Sequence, residues 1–340
     1  MALPLEQIPT PKSERWKYTN LPAALKKLEL QPASLGWGGD VALLNKEPPG
    51  ALVYRDTQLW DLNSAQAQDI KFITQNDALE MTAQDGQWLS PRLVVHVKSG
   101  EDLTLIENQG GQGAYWKNQV VQIVLEKNAR LTHYRFIGES ETGVLTSFTH
   151  VQIARDARYE ALNFISGAGM VRSQIHAELQ GENADCTLNG VNLLAGDQHA
   201  DTTITIEHQA PHCTSNQTYK NIVTDKAHGV FQGKVHVHQA AQKTDGYQLS
   251  NTLLLSPLAE MDTKPELEIY ADDVKCSHGA TTGQLEENAL FYLRARGIPE
   301  NQARALLMKS FLMGALENIA DEKITARADD VIESWLKDHV

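Results

Sequence analysis

The chain has 340 residues, enough for one large domain or two to three ordinary ones with a substantial core. Its 30 basic and 43 acidic residues give a formal net charge of -13, and such a surface repels nucleic-acid phosphates and anionic lipid. We therefore expect neither nucleic acid nor membrane as a partner. The N-terminus lacks the features of a signal peptide and no apolar run is long enough to span a membrane, so we expect a soluble, cytoplasmic protein.

Cysteines are sparse in this chain. There are three, Cys186, Cys213 and Cys276, with no C-x-x-C pair. This pattern argues against a disulfide framework and against a closed zinc site made by this chain alone. It is typical of a protein in a reducing compartment, and we interpret Cys186 and Cys213 as small core residues.

Residues 1–90 are predicted to form a small mixed region, because prolines interrupt short elements throughout. A weak helical pattern runs between Leu62 and Met81 through Ala65, Ile70 and Leu79.

Residues 91–280 have the texture of a β region, in which short apolar runs alternate with Gly, Asn, Asp and Ser. A recurring entry of the form polar-Ala-polar-apolar places Leu103, Leu131, Tyr159 and Cys186 at separations of 28, 28 and 27 residues. A fixed period in this range indicates stacked units, and with several strands and no helix per unit it favours a β-solenoid. A β-sandwich has turn signals at similar short spacing and stays open as an alternative on these grounds.

Residues 281–340 are predicted to be helical. Gly297 ends one helix, and Pro299 and Glu300 open the next. Apolar or small residues recur there at helical spacing and predict a packed stripe that joins the helices: Ala303, Leu306, Leu307, Ser310, Phe311 and Gly314.

Two pairs of residues have the spacing of same-face ligands on a strand. Cys276 and His278 are two residues apart at the end of the β region, so sulfur and nitrogen point to one face. His236 and His238 share a strand face in the same way, although an exposed face tolerates such a pair without function. A single C-x-H is a weak signal, and taken alone it more often marks a partly buried cysteine beside a solvated loop histidine than a ligand pair.

The segment around Cys276 carries a family resemblance. The C-terminal residues that carry it are Glu268 to Gly283, Leu285, Phe291 to Arg294, Arg296 to Ile298 and Ala303 to Phe311. An N-terminal segment, Pro11 to Leu21, contains Glu14-Arg15-Trp16-Lys17-Tyr18-Thr19. Together these segments resemble the SufB/SufD family of iron–sulfur cluster assembly proteins, and the SufD branch most. Many relatives have a longer helical extension than the short segment before Pro11.

The resemblance implies a fold and a function. The fold is mainly β: a right-handed parallel β-helix core between a small mixed N-terminal region and a C-terminal helical region that docks an ATPase. The function is that of a non-catalytic subunit that pairs with a SufB-like paralogue and a SufC-like ATPase. Cys276 and His278 are implied to hold iron or a nascent cluster at the paralogue interface, transiently and shared with that partner, with no cofactor tightly bound to the chain alone and a homodimer possible in isolation.

Two other interpretations stay open at this level. Right-handed β-helices also form polysaccharide lyases and hydrolases, which place acidic and basic residues along an exposed groove, although those enzymes are usually exported. In the second interpretation, the chain is the SufB-like member itself. We expect that member to carry more candidate cluster ligands than three scattered cysteines.

Overall fold

A computed structural model of the chain describes residues 8–26, 28–37, 58–64 and 69–340. In this part of the chain two parallel sheets face each other and the polypeptide alternates between them. Every strand inside these sheets pairs with the strand one coil before it and the strand one coil after it, which is the pairing of a β-helix. The prediction of a mainly β solenoid core with C-terminal helices is confirmed.

The strands divide evenly between the sheets along most of the chain. Sheet A contains Gln31–Pro32 (β1), Asp69–Ile73 (β2), Gln87–Leu89 (β4), Pro91–Val97 (β5), Trp116–Leu125 (β7), Val144–Ile153 (β9), Met170–Leu179 (β11), His199–His208 (β13), His228–Val237 (β15) and Glu260–Ile269 (β17). Sheet B contains Asp77–Ala83 (β3), Asp102–Gly111 (β6), Arg130–Gly138 (β8), Arg158–Gly167 (β10), Asp185–Leu194 (β12), Thr214–Val223 (β14), Asp245–Leu254 (β16) and Lys275–Gly283 (β18).

The predicted interior row exists and is longer than the sequence indicated. Its four predicted members are buried and in direct register: Leu103, Leu131, Tyr159 and Cys186. The same register continues through Ser215, Gly246 and Cys276 to the last strand of sheet B. One row of side chains therefore runs through the β-helix and ends at Cys276.

The recurring entry motif has a conformational cause. Asn128, Asp156 and Asn183 adopt positive φ angles of 60°, 58° and 60°, a region that Asn and Asp tolerate better than other residues with side chains. The alanine that follows each of them is buried, as at Ala129. The motif thus turns the chain tightly into the next sheet B strand and fixes where the strand begins.

The N-terminal region covers part of the outer face of sheet A. Trp16, from a short 3₁₀ turn at Glu14–Trp16, is buried with its ring 4.0 Å from the guanidinium of Arg172, which also donates to the Arg15 carbonyl at 2.7 Å. Helices Leu21–Leu25 (α1) and Gln58–Ser64 (α2) pack in the same apolar cluster.

The weak helix predicted between Leu62 and Met81 is wrong beyond Ser64, because Ile70 lies in β2 and Leu79 in β3, while Ala65 falls outside the described residues. Strands before residue 91 already belong to the sheets. The domain boundaries drawn at 90 and 280 remain predictions.

Three helices follow the last strand: Glu287–Ala295 (α3), Glu300–Met313 (α4) and Glu322–His339 (α5). Gly297, at φ +87°, separates the first two, as expected. None of the described helices has both the length and the apolar character needed to cross a membrane.

The predicted stripe on α4 is wrong in part. Ala303 is buried, but Leu306 is 51% exposed, and Met308 and Leu312 face inward instead. The reason is that α4 and α5 pack against the outer face of sheet B, on residues such as Phe164, and not only against each other.

Leu131 tests the stacked interior. Leu131→Ala removes most of a buried side chain between two coils, so we expect a loss of about 2–5 kcal/mol in the free energy of unfolding. Thr104→Ala, on the partly exposed outer face of β6, is the control and changes it by no more than about 0.5 kcal/mol. Urea unfolding of both variants gives the comparison, and equal midpoints for the two would contradict the stacking.

Candidate functional site at the end of the β-helix

The C-terminal end of the β-helix is open. β17 pairs only with β15 and β18 only with β16, so each has one strand edge without a strand partner in the described part of the chain. Unpaired edges of nine or ten residues are templates for pairing with another chain. Cys276 and His278 both lie in β18.

Cys276 faces the space between the sheets. It continues the interior row after Gly246, and its side chain packs beside a small apolar cluster that includes Val235 and Ala271. Burial raises the pKa of the thiol; a backbone hydrogen bond to Gly246 opposes this, and the nearby charge of Asp245 adds to it. The thiol is therefore protonated at neutral pH, and it becomes a good metal ligand only when a cation displaces its proton.

His278 lies on the same inward row as two buried glutamines. Its register partner is Gln248, which in turn pairs with Gln217. His278 differs from them in being exposed, because in the described part of the chain no further coil lies over β18. The spacing predicts that Cys276 and His278 share a face, and the register agrees with this.

The pair forms an incomplete ligand set. Thiolate sulfur and imidazole nitrogen both suit iron. Among the described residues, no third His, Cys, Asp or Glu joins them in a compact ligand group. A metal or cluster held here needs ligands from elsewhere.

Exposed apolar side chains surround this end of the molecule. Tyr247 and Leu249 lie on β16, Ile269 ends β17, and Leu258 and Tyr270 lie in the adjoining loops. Leu258 and Tyr270 are more than 60% exposed. Apolar groups beside open strand edges are typical of a protein–protein contact surface.

A second exposed apolar surface lies on the C-terminal helices. Phe291 and Tyr292 of α3 are 73% and 57% exposed, and Leu306 of α4 is exposed as well. We call these three residues the helical patch. The opposite side of α4 is buried against sheet B, and none of the three residues of the helical patch belongs to that apolar cluster.

Sequence reasoning missed one ligand group. His236 and His238 share a face as predicted, and Glu207 joins them from the preceding coil. A further group, His150, His176 and Glu178, lies on the same outer face of sheet A. Each group combines residues about one coil apart in sequence, so the repeat length was the signal that would have revealed them.

Comparison with known proteins agrees with this architecture. A family described as the SUF system FeS cluster assembly, SufBD core domain, matches residues 79–311. An iron–sulfur cluster assembly SufBD family protein of Synechocystis is 39% identical over 241 residues, which are 68% of this chain and 53% of that protein. The iron–sulfur cluster assembly protein SufD of Escherichia coli is 39% identical over 195 residues, 57% of this chain and 46% of that protein.

A SufBD family protein of Mycobacterium tuberculosis is 31% identical over 246 residues, 70% of this chain and 61% of that protein. The chain thus spans about half the length of the first curated relatives it matches. The family match covers well over half of the chain, including the whole set of stacked coils from Leu79 to β18 and the start of the helices. The chain belongs to the SufBD family of iron–sulfur cluster assembly proteins.

Proposed function

We propose that this protein is a non-catalytic, SufD-type subunit of a SufBCD-type complex, in which it pairs with a SufB-like paralogue and a SufC-like ATPase and helps iron entry or cluster assembly. The observation that carries this proposal is the open end of the β-helix, where an incomplete Cys276/His278 ligand pair lies beside unpaired strand edges. The alternative of a carbohydrate-active enzyme has no comparable support, since the family match spans residues 79–311.

The paralogue would bind by strand addition at the open end. A β-helix of the same kind has matching edges, so its strands would continue the hydrogen-bond ladders of β17 and β18. The exposed side chains of Leu258 and Tyr270 would be buried in the same contact. The partner would then supply the ligands that Cys276 and His278 lack.

A shared site suits a cluster that must leave again. Iron or a nascent cluster is here the cargo, and four ligands from one rigid chain would retain it, whereas ligands divided between two subunits release it when the subunits separate. In the complex, the incoming cation would displace the proton of the Cys276 thiol, which would pass to solvent water or to the imidazole of His278. His278 would otherwise donate a nitrogen lone pair to the cation.

The ATPase would bind the helical patch. Phe291, Tyr292 and Leu306 form the exposed apolar surface of the C-terminal helices, and aromatic anchors of this kind dominate protein interfaces. Because α4 also packs on sheet B, movement of the ATPase would be transmitted to the β-helix through that helix.

The ligand pair is tested by Cys276→Ala and His278→Ala. Both side chains lie on a terminal strand, so we expect the unfolding free energy to change by no more than about 0.5 kcal/mol and the complex to form normally. Iron and sulfide content of the complex purified from cells should fall, most for His278→Ala, with iron affinity roughly tenfold or more below wild type.

Ser277→Ala is the matched control, because this exposed residue lies between the two on the opposite face of β18. It should retain full iron and sulfide content. Wild-type content in both the Cys276 and His278 variants would show that the pair is structural.

The helical patch is tested by the double variant Phe291→Asp/Leu306→Asp. A carboxylate at a desolvated apolar contact weakens binding, and we expect at least about a tenfold loss of affinity for the ATPase in a titration. Ser334→Asp, at an exposed position of α5, adds the same charge away from the patch and serves as control. Equal affinities for the two variants would remove the docking assignment while leaving the paralogue pairing intact.

A further inference from the structure

A row of histidines and glutamates crosses the outer face of sheet A, whereas the interior row that ends at Cys276 belongs to sheet B. Glu207 Oε2 lies 2.7 Å from His236 Nδ1 and 2.8 Å from His238 Nε2. The two imidazole rings stack with centroids 4.3 Å apart. One carboxylate and two imidazoles from neighbouring coils therefore converge on a single point.

We propose that Glu207, His236 and His238 form a binding site for a divalent transition-metal ion of the zinc(II) or iron(II) class. Two histidines and one carboxylate are the ligand set that holds such ions with further positions open. Each residue offers one ligand atom, and these atoms lie within 4.8 Å of one another, so small side-chain adjustments bring all three to metal-ligand distances of about 2.0–2.2 Å.

The site is fixed on one side and accessible on the other. Glu207 is 8% exposed, whereas His236 and His238 are 21% and 42% exposed. Both carriers are central strands of sheet A, in which Glu207 and His236 are register partners. Glu207 and His236 are thus held by regular strand backbone, His238 directly follows the end of β15, and an ion enters from the solvent side.

A second, buried group adjoins the site. Glu178 and Glu207 are register partners on β11 and β13, and Glu178 Oε1 lies 3.4 Å from both His150 Nε2 and His176 Nε2. Burial acts to raise the pKa of Glu178, but the contacts with the two histidines outweigh it, so its pKa lies below the usual range and the carboxylate is ionised. The imidazole–carboxylate arrangement thus continues across neighbouring coils of sheet A.

One imidazole nitrogen in this buried group is only weakly satisfied. His150 is 4% exposed, and its Nε2 has the long 3.4 Å contact with Glu178 Oε1 but no hydrogen bond of good geometry in the described structure. Buried polar atoms are almost always well hydrogen-bonded, and an exception is commonly explained by a bound ion or water. Two imidazole–carboxylate groups, one buried and one open to solvent, therefore lie side by side on this face. Ordinary surface hydrogen bonds do not need so many ligand atoms in one place.

This inference is independent of the proposed role in cluster assembly. Its ligands are nitrogen and oxygen atoms on the outer face of sheet A, whereas Cys276 and His278 point into the β-helix from sheet B. The test therefore uses the full chain with Cys276→Ser and His278→Ala already introduced, so that any metal bound by that pair is eliminated.

The experiment is calorimetric titration with Zn(II), together with the visible spectrum of the Co(II) form, which reports ligand number and type. We expect one ion per chain and loss of at least about tenfold in affinity in each of Glu207→Gln, His236→Ala and His238→Ala, because even residues that only orient ligands contribute roughly 10–100-fold. Melting temperatures without metal should match the parent within a few degrees.

His96→Ala is the matched control. His96 lies on the same outer face, and its Nε2 is 2.8 Å from a carboxylate oxygen of Glu126. Its exposure is similar to that of His238, but this group contains one imidazole where the proposed site contains two. It should bind metal like the parent. Absence of binding, binding unchanged in the three ligand variants, or binding lost only in His150→Ala and His176→Ala would each overturn the assignment.

Discussion

Parallel hydrogen bonding between successive coils is the constraint on which the rest of this structure depends. Each strand from β5 to β16 pairs with a coil on either side, and this fixes the register of its side chains. The same arrangement cannot end without leaving edges, since the last coil has a neighbour on one side only. The open edges of β17 and β18 are therefore a direct consequence of the fold.

Register also explains why residues far apart in sequence act together. A row that is apolar at Leu103 and Leu131 becomes small and polar at Ser215 and ends at the Cys276 thiol. On the outer face, the same stacking unites Glu207 with His236. In a solenoid, positions one coil apart in sequence become neighbours in space. This is the basis of both proposed sites, the one inside the open end and the one on the outer face of sheet A.

The interior also tolerates charge where it is paired. Lys117 Nζ lies 2.6 Å from Glu139 Oε1 between the sheets, and Glu107 contacts both His133 and Arg135. Burial acts to raise the pKa of Glu107, but Arg135 and His133 lower it to about 2. Removal of one member of such a buried pair is costly because its partner is left as an uncompensated charge, so these groups reinforce the register of the coils that carry them.

The solenoid core and its interior row were predictable from the sequence because the residues that form the turns recur at the length of one coil. Asn128, Asp156 and Asn183 repeat at coil length since each coil needs the same left-handed turn, and this located the interior row. Helical periodicity gave a wrong prediction where tertiary contacts determine the secondary structure. The segment through Ile70 and Leu79 forms strands because it pairs with neighbouring coils.

The face of α4 and the ligand groups were not predictable from local patterns. Sheet B, and not a partner helix alone, determines that Met308 faces inward in place of Leu306. Glu207 belongs with His236 only after the coils are stacked. In both cases the missing information was which residues lie one coil away, and a local window cannot contain it.

The central claim is that the open end around Cys276 is completed by a second subunit, and thiol accessibility tests it most directly. Cys186 and Cys213 are buried and Cys276 is the partly exposed free cysteine of the three. Alkylation followed by mass spectrometry should label Cys276 alone in the monomeric native chain. In the complex with the SufB-like subunit, the account predicts that Cys276 becomes protected, whereas labelling at the same rate with and without that subunit would contradict it.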